Sequence, residues 1–450
     1  MDKFLLLKAI LSTRKADRMS VIQREKLRKK RLQKLAAYAK ANSPYYQKLY
    51  RNIGDDFCLE VLPVTDKIAM MKHFDDFITD QTISMKKIEE FTANLDHIGY
   101  MLDGKYLVFK TSGSTGNPAV VLYDNRMVSV SSAVAAVRTF AREQDYQKFM
   151  KNGRRTAGVF ADYGFFLACG MSKYLQLQMP KKNNKINIDV NLPAEQIIKK
   201  LNEFQPSMLS GYPSNIALLA NFEQLHIKPD VVITGGELLT DSVKQKLEKK
   251  FGCYVQTHYS CTEAGEIACE CSEGHLHINE DWVIVEPVDK NNQPVGYGVR
   301  SDKVLITNLA NYIQPFIRYE LTDRVIVHNE KCLCGRNTCW LEIEGRTDDI
   351  LEFENEIKIA PMSFYKILEE IKEIKRFQLV QHSKTLLKLR LTADDKETAF
   401  GKAKTALLDF LSANTVKKIQ IELSDEIPQA DKISGKFKHI VRDPKTDQRG

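Results

Sequence analysis

A short segment rich in glycine and hydroxyl side chains lies between two apolar runs, Tyr106–Phe109 and Ala119–Tyr123. Backbone N–H groups and hydroxyls in such a loop can bind phosphate oxygens. It differs from a Walker A loop, which ends in Gly-Lys-Ser/Thr and opens a helix, because Asn117-Pro118 leads into the second apolar run. We expect a flap over a triphosphate, with an ordinary Gly/Ser hairpin as the alternative. The candidate phosphate-binding residues are Thr111, Ser112, Gly113, Ser114, Thr115 and Gly116.

Five further segments place polar or charged side chains beside glycines or at the ends of predicted strands. A carboxylate near a triphosphate is suited to Mg²⁺, which proteins hold with few oxygens besides those of the phosphates. Taken alone, each segment is about as consistent with an ordinary turn as with a binding site. The five are Thr234-Gly235-Gly236-Glu237, Tyr259-Ser260-Cys261-Thr262-Glu263, Arg318-Tyr319-Glu320-Leu321-Thr322-Asp323, Gly345-Arg346-Thr347-Asp348-Asp349 and Ser434-Gly435-Lys436.

In this order, the six segments resemble the motifs of the adenylate-forming superfamily, which includes acyl-CoA synthetases, firefly luciferase and nonribosomal adenylation domains. The resemblance covers roughly residues 90–442. It looks closest to the phenylacetate–CoA ligase branch and its CapK-like capsule-biosynthesis relatives. Two positions depart from the pattern: Asn117 stands where the family frequently has lysine, and adjacent Thr322-Asp323 stands where the family has Thr-x-Asp. The second departure leaves the role of Thr322 open.

The resemblance implies a site for ATP and Mg²⁺ in the larger part of the chain. Tyr259 would stack on adenine, Thr262 would contact the α-phosphate and Glu263 would help to hold Mg²⁺. A carboxylate and a hydroxyl beside a triphosphate make physical sense for such a site. The turn that lines the adenine and acyl pocket would consist of Gly235, Gly236 and Glu237.

The remaining implied roles concern the ribose and a second domain. Asp323 would accept hydrogen bonds from both ribose hydroxyls, and Arg346 would contact the nucleotide. Lys436 would be the adenylation lysine, and Asp348 would be the hinge that absorbs a domain rotation. The candidate catalytic residues are Lys436, Thr262, Glu263 and Arg346.

Cysteine and histidine concentrate in two segments that could bind a metal. Nine cysteines in a chain of 450 residues do not indicate a disulfide framework, whereas Cys-x-Cys pairs near a histidine can ligate zinc. A similar set recurs in the phenylacetate–CoA ligase branch. We predict a structural Zn²⁺, with reduced buried thiols or redox use as alternatives and with Cys269, His275 and Cys339 as substitute ligands. The predicted ligands are Cys271, His277, Cys332 and Cys334.

Positive charge is concentrated at the N-terminus. Residues 1–50 contain 14 Lys and Arg and 3 Asp and Glu, a net charge of +11, whereas the whole chain carries +8. Between the basic residues, Ile22, Leu27, Leu32 and Leu35 recur near helical spacing. We expect an amphipathic helix packed on the body, and the alternative is a docking face for an anionic membrane or an acidic partner. No RNA- or DNA-binding motif accompanies the charge, so no nucleic-acid partner is expected.

Strands and helices alternate between about residue 100 and residue 260, which predicts an α/β sheet that is mostly parallel inside. Short strands follow to about residue 330 and form a β-rich subdomain. We predict a basic helical arm at 1–60, a large nucleotide- and acyl-binding domain at 61–347 and a small mobile α+β domain at 348–450. In the last, helices are predicted at 361–373 and 396–412 and strands at 377–382, 386–392 and 418–423.

The combined prediction is an ATP-dependent ligase that activates a carboxylic acid as acyl-AMP, releases pyrophosphate and transfers the acyl group to the thiol of coenzyme A. Aromatic residues within 161–166 favour a flat or apolar acid, although core packing explains them equally well. The alternatives are an adenylate-forming enzyme with another acceptor (a carrier protein, an amine or a cofactor) and a nucleotide-binding scaffold without catalysis. No apolar run approaches the ~20 residues of a membrane helix, so we expect a cytoplasmic protein.

Overall fold

The computed structural model describes residues 2–54, 56–111, 118–178, 184–346, 350–359, 361–432 and 434–442. Contacts between residues divide the chain into two compact units. The first unit consists of Met1–Leu321, Ile326–Glu342 and Ile433–Gly435, and the second consists of Thr322–Val325, Ile343–Lys432 and Lys436–Gly450. Each unit has a hydrophobic core of its own.

The described part of the first unit contains twelve α-helices. The second of them begins at a capping box, in which Ser20 and Gln23 each accept a hydrogen bond from the other's backbone N–H. The helices are α1 (Lys3–Asp17), α2 (Val21–Asn42), α3 (Pro44–Leu49), α4 (Lys67–Lys72), α5 (Phe74–Phe77), α6 (Met85–Thr92), α7 (Asn125–Arg138), α8 (Glu143–Lys151), α9 (Leu167–Gln178), α10 (Ala194–Phe204), α11 (Pro213–Leu219) and α12 (Asp241–Phe251).

Fourteen strands run through the described residues up to Arg346. Apolar and β-branched side chains fill most of them, and their burial is nearly continuous in the centre of the largest sheet. They are β1 (Leu107–Lys110), β2 (Val120–Tyr123), β3 (Thr156–Phe160), β4 (Lys185–Asp189), β5 (Met208–Gly211), β6 (Val231–Gly235), β7 (Tyr254–Cys261), β8 (Gly265–Glu270), β9 (Leu276–Ile278), β10 (Val283–Val288), β11 (Lys303–Asn308), β12 (Tyr319–Leu321), β13 (Asp323–His328) and β14 (Trp340–Arg346).

The largest sheet has nine strands in the order β13-β14-β9-β8-β7-β6-β5-β3-β4. The five strands β4, β3, β5, β6 and β7 are parallel, and α9 to α12 connect them in sequence. From β7 onward, β8 and β9 pair antiparallel, and β14 pairs antiparallel with β9. The predicted α/β class with a parallel interior is therefore confirmed.

Strands β1 and β2 form a separate antiparallel hairpin, with Leu107 opposite Tyr123 and Lys110 opposite Val120. Helix α9 packs against it at Gly170, where an added Cβ would lie 2.7 Å from the Phe109 ring. Glycine is therefore required for this close approach of helix and hairpin. The predicted order of strand, loop and strand is confirmed, and the loop itself falls between described residues.

A three-stranded antiparallel sheet, β10-β11-β12, forms the predicted strand-rich region. Arg318 precedes β12 and is buried. Its guanidinium pairs with Glu286 at 3.0 Å and donates to the carbonyls of Glu60 and Leu62. This buried arginine thus ties the residue before β12 to β10 and to the Glu60–Leu62 segment.

The second unit contains β15 (Leu351–Glu352), β16 (Lys358–Ile359), α13 (Pro361–Glu369), β17 (Arg376–Ser383), β18 (Leu386–Thr392), α14 (Lys396–Ala413), β19 (Gln420–Leu423) and β20 (Ile440–Arg442). Its four-stranded sheet has the order β19-β18-β17-β20, with an antiparallel central pair and parallel outer pairs. The helix predicted at 361–373 ends at Glu369, because residues 370–374 form turns in which Ile374 N–H bonds the Ile371 carbonyl. None of the described helices combines the length and apolarity that a bilayer crossing requires.

Candidate active site and metal cluster

Thr111 closes the base of the glycine- and hydroxyl-rich loop. Its backbone N–H donates to the Ala119 carbonyl at 2.9 Å, and its Oγ1 accepts from Ala119 N–H at 2.8 Å. The two ends of the loop are thus held together at the end of the β1–β2 hairpin. The predicted phosphate-binding residues Ser112, Gly113, Ser114, Thr115 and Gly116 lie outside the described residues, and their role stays a prediction.

Strand β6 leads directly into the second candidate motif. Thr234 is buried, and its Oγ1 donates to the Gln256 carbonyl of β7 at 3.1 Å. The chain then turns at Gly236, whose φ of +77° lies in the region that favours glycine. The Glu237 carboxylate accepts a hydrogen bond from Ser214 N–H at 3.2 Å. These bonds fix a tight turn at the carboxyl end of β6.

The third candidate motif lies beside the second. In the parallel pairing of β6 and β7, Gly235 at the end of β6 is opposite His258. The next residue of β7, buried Tyr259, therefore lies just past the end of β6. Ligands of open α/β sheets bind beyond the carboxyl ends of parallel strands. The structure therefore brings the Gly235–Glu237 turn and the Tyr259–Glu263 segment to one edge of the sheet, as an adenine and phosphate site requires.

Three side chains from other elements hold the end of this segment. Tyr123 Oη donates to the Thr262 carbonyl at 2.8 Å, and Asn308 Nδ2 donates to the Glu263 carbonyl at 2.9 Å. Tyr319 Oη lies 3.4 Å from Glu263 Oε1 and donates to it. The Glu263 side chain is 7% exposed. The backbone of this segment is consequently held by Tyr123 and Asn308, and the Glu263 carboxylate accepts from Tyr319.

The electrostatics of this corner favour the neutral form of the two phenols beside Glu263. Burial raises the pKa of Tyr319, and the negative charge of Glu263 raises that pKa further. Burial likewise raises the pKa of Tyr123, with smaller contributions from Cys261 and Glu263. Both phenols therefore remain protonated donors. Oxygen is the ligand atom that Mg²⁺ prefers, so a carboxylate at this position has the chemistry that a divalent cation requires.

Sequence reasoning had assigned no role to Tyr319 or Asn308. Tyr319 stands inside the segment chosen for Asp323, so its position in a buried strand beside a chemical motif was the available signal. Asn308 ends β11, some 45 residues away in sequence, and only the folded arrangement brings its amide to Glu263. No spacing in the sequence could have indicated that contact.

Asp323 and Arg346 belong to the second unit. Arg346 Nη1 lies 4.0 Å from Asp323 Oδ1, and the arginine is 40% exposed against 14% for the aspartate. The two residues that the resemblance links to the ribose and the nucleotide are thus neighbours. A loose, partly exposed pair of this kind adds little to stability.

The last two predicted residues are the hinge residue and the adenylation lysine. Asp348, the predicted hinge, lies outside the described residues. Lys436 belongs to the second unit, and its carbonyl accepts a hydrogen bond from Asp431 N–H at 2.8 Å. The roles of hinge and adenylation lysine therefore stay predictions.

The structure brings the four predicted metal ligands together. One donor atom from each of Cys271, His277, Cys332 and Cys334 lies within 4.8 Å of the other three. Cys271 Sγ and Cys332 Sγ are 3.7 Å apart, and Cys334 Sγ is 3.4 Å from His277 Nε2. The residues come from two chain segments beside β9, 61 positions apart for Cys271 and Cys332. The two cysteine-containing segments therefore converge, as the predicted metal site requires.

Neighbouring groups orient this cluster. His277 Nδ1 faces Thr338, 3.0 Å from its carbonyl and 2.9 Å from its hydroxyl, which leaves Nε2 directed at the sulfurs. Burial lowers the pKa of His277 to about 4, so the imidazole is neutral, as a metal ligand must be. His275 and His328 stack on opposite faces of Trp340, with ring centroids 4.0 Å and 3.9 Å from it.

The three substitute ligands have other surroundings. Cys269 is fully buried and groups with His258 and Glu266 rather than with the four-residue cluster. Cys339 N–H donates to Glu280 at 3.0 Å. His275 Nδ1 comes within 3.3 Å of Cys332 Sγ, but its ring is engaged in the stack on Trp340. The predicted set is therefore the better fit of the residues that the structure describes.

Part of this chain is similar in sequence to a known family and to a known protein. Residues 102–309, which contain β1 to β11 and the Tyr259–Glu263 segment, match the family of AMP-binding enzymes. Protein CapK of Staphylococcus aureus is 25% identical over 286 residues, a match that covers 56% of this chain and 58% of CapK. The matched part thus spans less than two thirds of that relative. The predicted resemblance to adenylate-forming enzymes is confirmed.

Two solved structures share the fold over longer stretches. A 2-hydroxyisobutyryl-CoA ligase in the postadenylation state, in complex with R3-HIB-AMP, superposes with a TM-score of 0.68 at 18% identity over 96% of this chain and 92% of its own. The anthranilate CoA ligase AuaEII, in complex with anthranoyl-AMP, superposes with a TM-score of 0.52 at 14% identity, covering 73% and 64%. The predicted fold, that of the adenylate-forming ligases, is therefore confirmed.

Proposed function

We propose that this protein activates a carboxylic acid as acyl-AMP and then transfers the acyl group to the thiol of coenzyme A. The observation that carries the proposal is the buried Glu263 carboxylate beyond the end of β7, which accepts from Tyr319 Oη while Asn308 Nδ2 holds the Glu263 backbone carbonyl. It lies beside the Gly235–Glu237 turn, inside the region that matches the AMP-binding enzymes. Charge-dominated phosphoryl chemistry needs such pre-positioned groups.

In the proposed first step, a substrate carboxylate oxygen attacks the α-phosphorus of ATP, the bond to the bridging oxygen breaks, and pyrophosphate leaves with that electron pair. Tyr259 would pack on adenine and Thr262 would donate to the α-phosphate. Glu263 would hold Mg²⁺, which when bound offsets the charge of the phosphate oxygens. Lys436 would place its ammonium between the carboxylate and the phosphate, where negative charge converges. Asp323 and Arg346 would bind the ribose and the nucleotide.

In the proposed second step, the sulfur of coenzyme A attacks the acyl carbon, and AMP leaves with the electrons of the acyl–oxygen bond. The thiol proton passes to solvent or to the departing phosphate. Within the described residues, no cysteine of this chain needs to act as a nucleophile, because the acceptor brings its own sulfur. The two half-reactions thus share the acyl-AMP, which the first forms by attack on phosphorus and the second consumes by attack on the acyl carbon.

We further propose that the substrate is an aromatic carboxylic acid. Phe160 ends β3 and Tyr212 follows β5, the neighbouring strand, and their rings meet edge to face with centroids 5.1 Å apart. Both therefore lie at the same edge of the sheet as the candidate nucleotide site, and an aromatic pair suits a flat apolar acid. Phe165, by contrast, packs in the core between α9 and the β1–β2 hairpin, so it does not support this proposal.

We further propose that the four-residue cluster holds a structural Zn²⁺. Tetrahedral zinc with Zn–S bonds of about 2.3 Å separates two sulfurs by about 3.8 Å, close to the 3.7 Å between Cys271 and Cys332. Four protein ligands leave no open position, so a catalytic role is not proposed. The basic arm is proposed to bind an anionic surface, since its charge far exceeds that of the remaining chain.

The test is pyrophosphate release across a panel of aromatic and aliphatic acids, with and without coenzyme A. Acid-dependent release is expected, with Glu263→Gln lowering the rate by about 10²-fold or more. Glu203→Gln, on the exposed face of α10, is the matched control and should retain the rate. Pyrophosphate release without thioester formation would indicate that the acyl acceptor is a carrier protein, an amine or a cofactor instead of coenzyme A. Absence of ATP–pyrophosphate exchange with every acid would leave a nucleotide-binding scaffold and overturn the proposal.

A further inference from the structure

Helix α1 presents two opposite faces of different character. The inner face packs on the first unit through Ala9, Thr13 and Ala16, which are at most 5% exposed. Thr13 Oγ1 accepts a hydrogen bond from Trp282 Nε1 at 3.0 Å, and both groups are buried. This packing fixes the rotation of α1 about its axis. The side chains of its outer face therefore point to solvent as a property of the fold.

The outer face carries three large apolar side chains. Phe4, Leu7 and Leu11 are 73%, 56% and 59% exposed. At about 100° per residue they fall within roughly 60° of one another, opposite the buried face. A solvated helix normally places such residues inward. Three of them in one outward line form an apolar ridge.

Cations flank this ridge on both sides. By the same helical geometry, Lys3 and Arg14 lie along one side and Lys8 and Lys15 along the other, and all four are exposed. Arg18 follows at the C-terminal end of the helix. Within α1, all of whose residues are described, no carboxylate lies on this face.

The two acidic residues nearest to this face have structural roles. Asp2 caps the helix by accepting from the N–H groups of Phe4 and Leu5, at 2.9 and 3.1 Å. Asp17 accepts from buried Arg138 at 2.7 Å. Neither carboxylate is therefore available to neutralise the outer cations, and the ridge retains a positive border.

Other basic residues of the arm serve to hold it on the body. Arg24 is 3% exposed, pairs with Glu280 at 2.7 Å and donates to Asn337. Arg31 lies over the ring of Trp282, 3.4 Å from its centroid. The charge of the arm is thus divided between buried arginines that anchor it and exposed cations, some of which border the ridge. Only the second set can meet a partner.

We infer that the outer face of α1, defined by Phe4, Leu7 and Leu11 and their flanking cations, binds the surface of an anionic lipid bilayer. The helix would lie in the interface, with the ridge among the acyl chains and the cations at the headgroups. The inference rests on the proposed anionic docking of the arm and names its partner. A second copy of the chain is disfavoured, because pairing this face with itself would set cations against cations.

The experiment uses the full chain with vesicles of phosphatidylcholine alone or with about one third phosphatidylglycerol, at low salt and without ATP. Cosedimentation with the anionic vesicles only is expected. Lys3→Gln, Lys8→Gln and Lys15→Gln together should weaken it about 100-fold, at about fivefold per cation. Phe4→Ser, Leu7→Ser and Leu11→Ser together should weaken it at least about 100-fold.

Matched controls carry the same changes elsewhere on the first unit. Val61, Ile68 and Leu95 are 55%, 80% and 54% exposed, so their replacement by serine imitates the loss of the apolar ridge. Replacing exposed Lys86, Lys199 and Lys200 by glutamine imitates the loss of charge. Both control proteins should bind anionic vesicles as the unaltered chain does.

Three results would overturn the inference. The unaltered protein could fail to bind anionic vesicles, or the serine variant of the ridge could bind as tightly as the unaltered protein. A concentration-dependent dimer that only the ridge variant loses, without vesicle binding, would assign the face to a second copy. Pyrophosphate release by each variant in the absence of vesicles tests acyl activation separately, so a failure of that activity is distinguishable from a failure of membrane binding.

Discussion

The Tyr319 hydroxyl donates to Glu263 Oε1 across 3.4 Å, from a strand of the three-stranded sheet to the turn between β7 and β8 of the nine-stranded sheet. Tyr319 lies in β12 and Glu263 follows β7, and both are buried. The bond joins the three-stranded sheet to the candidate Mg²⁺ ligand. Tyr319 is therefore a positioning residue, which acts through the carboxylate and not on the substrate.

Tyr319→Phe should raise the Mg²⁺ concentration needed for half-maximal pyrophosphate release about two- to tenfold. This factor corresponds to the net free energy that one hydrogen bond typically contributes. The rate at saturating Mg²⁺ should change less, because the carboxylate remains. The measurement is initial rate against Mg²⁺ at saturating ATP. Tyr50→Phe is a matched control, since that buried hydroxyl lies elsewhere in the first unit. An equal loss at every Mg²⁺ concentration would contradict a positioning role.

Substitution of Lys436 should impair the first half-reaction, and substitution of Asp348 should impair the second. Lys436→Ala removes an ammonium from a place where negative charge converges, so pyrophosphate release should fall about 10²–10³-fold. Conversion of supplied acyl-AMP to thioester should be nearly retained. Asp348→Pro fixes φ and removes a donor at the predicted hinge, so it should keep the first step and lose the second.

Quenched-flow assays measure the rate of each half-reaction in these variants. Lys432→Ala, a lysine of the second unit outside the catalytic assignment, serves as the control for loss of charge. If Lys436→Ala and Asp348→Pro slow both half-reactions equally, alternation between two states is not the mechanism, even where adenylation itself is retained.

The order of the elements was predictable because periodicity reports burial. Val231–Gly235 and Thr156–Phe160 form near-continuous apolar runs, which indicate strands covered on both faces, and both are interior strands of the sheet. In the second unit, the strand predicted at 386–392 has exactly these bounds, since its alternating pattern has a clear start and end. The helix predicted at 361–373 was too long, because apolar spacing continues past Glu369 into turns.

The candidate site was only partly predictable. Motif residues such as Glu263 and Cys271 could be named because their neighbours in sequence form recognisable patterns. The residues that hold them could not, because Asn308 and Thr338 meet the site through long-range folding alone. The division of basic residues into anchoring and exposed sets was equally hidden, since charge in a sequence does not reveal burial.

Removal of metal should loosen both the cluster and the arm. The loop that carries Cys334 also carries Asn337, whose carbonyl and Oδ1 accept from buried Arg24 of α2. If Zn²⁺ holds this loop, chelation should lower the Tm by about 5 °C or more. It should also expose the connection between α1 and α2 to protease. Purified protein should contain about one equivalent of zinc.

Atomic absorption and limited proteolysis measure these outcomes. Cys334→Ser should reproduce the effect of chelation, and Cys58→Ser, which alters an exposed cysteine, should not. Excess Mg²⁺ during the assay keeps chelation from acting on the ATP site directly. Less than about a tenth of an equivalent of zinc, in protein purified without chelator, would contradict the zinc assignment.

His439 should make the stability of the second unit depend on pH. Its ring is buried against Tyr365, Phe377 and Phe437, with Nδ1 lacking a hydrogen-bond partner in the described structure. Burial lowers the pKa of His439 to about 4, and the charge of Arg376 contributes in the same direction. In the unfolded chain the pKa is about 6.5.

Between these two values the unfolded chain binds a proton that the folded chain does not. The free energy of unfolding should therefore be fully maintained above about pH 6.5 and should fall as pH decreases toward about 4, by at most about 1.4 kcal/mol per pH unit. His439→Leu keeps an apolar side chain in the aromatic cluster and removes the titrating group, so its stability should decline less steeply over this range. Calorimetric unfolding of the full chain at a series of pH values measures both slopes. His226→Leu, at an exposed position of the first unit, should leave the slope unchanged. Equal slopes for His439→Leu and the unaltered protein would show that His439 is protonated without cost, and its burial would then have no effect on acid stability.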